Sequence, residues 1–91
     1  MPDARTELLG KITEFFKNGL LEPEQAAELT PETSLRQWGA LNSLKMARLI
    51  GWIREDLGVE IPMRKLTGAN FRTLNDITDL VLEERMGSSV A

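Results

Sequence analysis

The stretch that decides the fold is LRQWGALNSLKMARLIGWIREDLGVEIP, residues 35 to 62. Its middle is a strong helix signal running from about Ser43 to Leu57. Steps of 100° put Met46, Ile50, Ile53 and Leu57 on one stripe, with Leu49 at its edge, and that stripe is expected to face a core. Leu44, Ala47, Arg48, Gly51 and Arg54 fall on the opposite side, and Trp52 lies between the two faces. Gly58 follows and suits a helix stop, because glycine takes the left-handed conformation without steric cost. Val59-Glu60-Ile61 alternates like a short strand. Pro62 closes it and no partner strand is in sight, so it reads as loop.

Upstream, Leu8, Ile12, Phe15 and Phe16 recur at helical spacing within residues 4 to 18. Pro2-Asp3 suits the start of that helix and Asn18-Gly19 its end. Residues 20 to 42 form a long connection, in which Pro23 can open a short helix through Leu29. A connection this long is usually functional or packed by apolar residues of its own, and Leu29, Leu35 and Trp38 are available for that packing. Trp52 is expected to pack on this loop. Downstream, Ile61, Met63, Leu66 and Phe71 are expected to close the core, with one short helical turn among them. Thr73-Leu74-Asn75-Asp76 resembles a capping box, and Leu74, Ile77 and Val81, with Leu80 beside them, give the last apolar stripe. The expectation is an all-α fold. It is a small antiparallel bundle of three main helices with one or two short helical turns, one domain over residues 1–86 and a flexible tail over 87–91.

Composition narrows the function. The chain has 91 residues, 42% of them hydrophobic, which allows one small core. It holds no cysteine and no histidine, which removes disulfides, zinc fingers and Ser-His-Asp or Cys-His catalysis within this chain. No loop has the spaced acidic ligands of a calcium site. Eleven basic and fourteen acidic residues leave a net charge of -3, which disfavours nucleic-acid binding. No stretch has the length of a membrane span, and MPDARTELLG lacks a signal-peptide pattern. A cytoplasmic monomer that binds neither nucleic acid nor membrane is expected.

Two short segments carry a more specific reading. Asn42-Ser43-Leu44 opens the central helix, and Leu57-Gly58-Val59-Glu60-Ile61-Pro62 closes it. Alone, each is weak, and Ser43 by itself reads as a helix cap. Together, at this spacing and in a chain of this size, they resemble the acyl and peptidyl carrier proteins, which hold intermediates on a phosphopantetheine arm. The resemblance covers roughly residues 5 to 84. It implies covalent 4'-phosphopantetheine on Ser43, at the positive end of the helix dipole, with a separate transferase performing the attachment. The chain then needs no catalytic residues, and the missing thiols are expected. Ile61 and Leu66 lie where the family's groove for arm and cargo is found.

The chain departs from the family pattern in two places. Asn42 stands where the family usually has Asp; it keeps a capping oxygen but lacks the charge that helps position the transferase's metal. Ala40-Leu41 separates Gly39 from Asn42, which alters the loop before the serine. The helix surface also differs from that of fatty-acid carriers, because Lys45, Arg48 and Arg54 replace an acidic face. Charge complementarity chiefly steers encounter. Asn42, Leu44, Ala47, Arg48 and Arg54 are therefore expected to meet partners.

The implied function is a non-enzymatic, free-standing carrier of a specialised, natural-product type of pathway, holding an aminoacyl, heteroaryl or short acyl unit as a thioester. Its implied partners are a phosphopantetheinyl transferase, an adenylating or acyl-loading ligase, and downstream tailoring and transfer enzymes. The alternative is a helical adaptor with no prosthetic group, docking through Leu44, Arg48 and Arg54. A helix-turn-helix DNA binder is disfavoured by the acidic charge, and an enzyme by the lack of any acid–base pair.

Overall fold

In the computed structural model, residues 3–37, 39 and 42–88 are described, the last three of them by backbone only. Among these residues four α-helices form: α1 over Ala4–Phe15, α2 over Pro23–Glu28, α3 over Ser43–Asp56 and α4 over Leu74–Ser88. Two 3-10 turns, Met63–Lys65 and Gly68–Phe71, link α3 to α4. Among the described residues there is no strand, and Val59–Ile61 is loop as expected.

α1 starts on Asp3, whose carboxylate accepts the Thr6 N–H at 2.7 Å. Its end differs from expectation. The chain does not stop at Gly19 but widens into a π-turn over Phe16–Leu20, and Gly19 keeps a negative φ. The reason is Leu20, which is buried. Burying a leucine is worth about 1.5–3 kcal/mol, more than the roughly 1 kcal/mol cost of a helical glycine. Phe16 is fully buried, while Phe15 is only half-buried. Phe15 stacks on Trp52 with ring centroids 4.6 Å apart. Trp52 therefore stacks on α1, where packing on the long connection was expected, and Trp38 lies outside the described residues.

α3 runs antiparallel to α1: Trp52 meets Phe15, and nearer the start of α3, Arg48 approaches Gly19. Leu49 and Ile53 are its fully buried residues, and Met46, Ile50 and Leu57 are half-buried beside them. The inward face thus centres on Leu49, which the stripe placed at the edge; the half-buried Trp52 against α1 turns the helix that way. Gly58 ends α3 with φ +67, as its position required.

Two devices fix the connections. Leu35, fully buried, donates its N–H to Arg72 O at 2.9 Å, and Asn75 donates to Pro31 O at 3.2 Å. These pin the long connection to the start of α4. Arg5 bridges from α1 to Asp79 at 2.9 Å and Asn75 at 3.0 Å. On α4, Thr73 caps the Asp76 N–H, and Leu74, Ile77, Leu80 and Val81 are buried as expected. Thr78 is buried too, satisfied by donating its hydroxyl to Leu74 O at 2.8 Å. Met63 is a correction: at 87% exposure it closes no core, because its 3-10 turn projects it outward. α4 continues through Gly87 and Ser88, where a tail was expected; residues 89–91 lie outside the described part.

Candidate functional site

The site is built at the first turn of α3. Asn42, not Ser43, is the cap: its Oδ1 accepts the Lys45 N–H at 2.9 Å, and its carbonyl accepts the Met46 N–H at 2.8 Å. Ser43 is consequently the first helical residue and exposed, and its hydroxyl makes no hydrogen bond among the described residues. The N–H groups of Ser43 and Leu44 belong to the helix's first turn, where no intrahelical acceptor exists, so they point outward with the positive end of the dipole. An anionic group attached at Ser43 is favoured by that arrangement.

Ser43 opens on a groove of about 400 Å³ lined also by Arg36, Asn42, Met46, Leu66, Thr67, Gly68 and Phe71. The apolar lining comes from Met46 on α3, from Leu66 just after the first 3-10 turn and from Phe71 on the second. This fits a flexible, mostly neutral arm carrying one charge near the serine. Leu66, one of the two expected arm or cargo contacts, lines this groove. Ile61 is buried in the core and is not part of this lining. The sequence reading missed Arg36, Thr67 and Gly68. A lone arginine in a long connection gives no periodic signal, and the 3-10 turns that bring Thr67 and Gly68 to α3 have no hydrophobic repeat.

Around Ser43 the helix surface carries exposed Leu44, Ala47, Arg48 and Arg54. Leu44 is 72% exposed, an unusual position for a leucine. Lys45 differs from its expected role. It is half-buried, and its ammonium donates to Gly39 O at 3.1 Å, tying the loop before the serine back to the helix. Ala40 and Leu41 lie outside the described residues. No metal-holding cluster of acidic residues is found among the described residues, and none of their helices is long and apolar enough to cross a membrane.

None of the curated proteins compared with the chain matches it. A family model does. Residues 20–81 match the phosphopantetheine attachment site family, a segment that includes the whole groove and Ser43. With most of its length in that match, and an exposed serine opening a small all-α bundle's central helix, the chain belongs to the phosphopantetheine attachment site family, defined by covalently attached 4'-phosphopantetheine.

Proposed function

We propose that Ser43 bears the arm and that the chain works as an acyl or peptidyl carrier. The observation that carries this reading is the position of Ser43. It is exposed at the first residue of α3, beside a groove of about 400 Å³, inside the matched segment. When bound, the arm supplies a terminal thiol that holds an acyl or aminoacyl unit as a thioester. The chain's own residues present it. Asn42 fixes the first turn of α3, Lys45 holds the preceding loop, and Met46, Leu66 and Phe71 offer an apolar wall. No residue here performs a reaction; loading and transfer belong to partner enzymes.

The exposed Leu44, Ala47, Arg48 and Arg54 form the docking face in this reading. Their positive charge selects partners with acidic surfaces, unlike an acidic carrier helix. That favours a specialised pathway, with a transferase, an adenylating or acyl-loading ligase and tailoring enzymes as partners. Residues 1–86 act as one domain, monomeric and cytoplasmic. Incubation with coenzyme A and phosphopantetheinyl transferases tests the assignment by intact mass. The wild type is expected to gain one phosphopantetheine and Ser43→Ala none. A loaded Ser43→Ala would overturn the site, and an unmodified wild type across several transferases would favour the adaptor alternative.

A further inference from the structure

The groove beside Ser43 has one charged lining residue, Arg36, and no carboxylate. Arg36 is exposed, and three features single it out among the surface cations. Its backbone is fixed: Leu35 is buried and bonded to Arg72 O, and Arg36 O accepts the Gly39 N–H at 3.2 Å. Its guanidinium lies close over Gly68, where an added Cβ would meet Nη1 at 3.4 Å. Among the described residues it has no ion-pair partner, since their ion pairs involve Arg5 and Lys65. Lys45, the other cation beside the serine, already gives a hydrogen bond to Gly39 O.

We infer that Arg36 is a positioning residue that pairs with the phosphodiester of the arm and holds it over Thr67 and Gly68. This rests on the proposal that Ser43 carries the arm. A phosphodiester keeps one negative charge at all working pH values and accepts charge-assisted hydrogen bonds from a guanidinium fork. Attached to Ser43, it lies at the groove that Arg36 lines. Asn42 supplies no competing charge, so the pairing meets no local repulsion. The arm is thereby held by its base while its thiol end stays free to reach partners.

The test uses the loaded protein with a free thiol, so that the diester is the one anion on the arm. Wild type, Arg36→Gln and Arg36→Lys are loaded from coenzyme A, and loading at Ser43 is verified by mass. Phosphorus and amide NMR spectra are then compared with and without the arm, at low and high salt. In the wild type, loading is expected to shift the Thr67 and Gly68 amides, and high salt to shrink that shift. Arg36→Gln should lose at least half of the shift and its salt dependence, and Arg36→Lys should restore part of both. A wild type that gains no mass overturns the carrier reading and this inference with it. A loaded wild type whose Thr67, Gly68 and phosphorus signals match those of Arg36→Gln overturns the role of Arg36 alone.

Discussion

Replacing Asn42 separates two things that this residue does, capping a helix and withholding a charge. Its side chain accepts the Lys45 N–H at 2.9 Å. Asn42→Ala returns that N–H to water, which costs about 1 kcal/mol, within a usual range of 0.5–2 kcal/mol. For a domain of this size each kcal/mol moves Tm by roughly 4–8 °C. Asn42→Asp keeps the acceptor and adds a negative charge at the positive end of α3, worth about 0.3–1 kcal/mol at low salt. The site is exposed, so the gain falls toward the lower end of that range. Thermal unfolding followed by circular dichroism is expected to show Asn42→Ala several degrees below wild type. Asn42→Asp should match or exceed wild type at neutral pH in low salt, and its advantage should shrink as salt rises. The same substitution should speed loading by a transferase that prefers the common Asp-Ser motif. Equal destabilisation by Ala and Asp would refute the capping argument, and an unchanged Tm for Ala would show that the bond contributes nothing.

Four further outcomes follow from packing and titration. Leu35→Ala empties a fully buried position and should cost about 2–5 kcal/mol in a denaturant titration, a large share of a small domain's stability. Gly10 is helical with open space around it, so Gly10→Ala should raise stability by about 0.5–1 kcal/mol. Gly58→Ala should lower it by roughly 1–2 kcal/mol, because φ is +67 there although the space is equally open. The Thr6 N–H bonded to Asp3 holds its carboxyl below the usual carboxylate range. A lowered folded value means that this contribution is complete above the ordinary carboxylate range and is lost as pH falls through the folded value. Tm measured down an acid series should show that loss, and Asp3→Asn, which keeps a capping oxygen, should flatten it.

The helices were legible where burial follows a helical period. Leu74, Ile77 and Val81 are buried as their spacing required, and Leu8, Ile12 and Phe16 likewise. What was not legible depends on competition between elements. The π-turn at Phe16–Leu20 exists because Leu20 reaches the core, a fact that a local glycine signal cannot register. Trp52 sits at the border of its helix, and only the arrival of Phe15 from α1 decides its partner. At the candidate site, the helix start at Ser43 was readable from its motif, and Leu66 lines the groove beside it. Arg36 was not readable, since a tertiary turn held by Leu35 and Arg72 brings it to the groove. The exposed Met63 was misread for a related reason: a 3-10 turn has no apolar repeat to show which way its residues point.

The central claim is that the arm is attached at Ser43, and peptide mapping of the loaded protein tests it most directly. Trypsin cleaves after Arg36 and Lys45, and the peptide between those cuts, residues 37–45, contains Ser43 as its one hydroxyl-bearing residue. The account predicts the phosphopantetheine mass on that peptide and on no other. The same mass on the peptide containing Ser34, or on one containing Ser88 and Ser89, would contradict it.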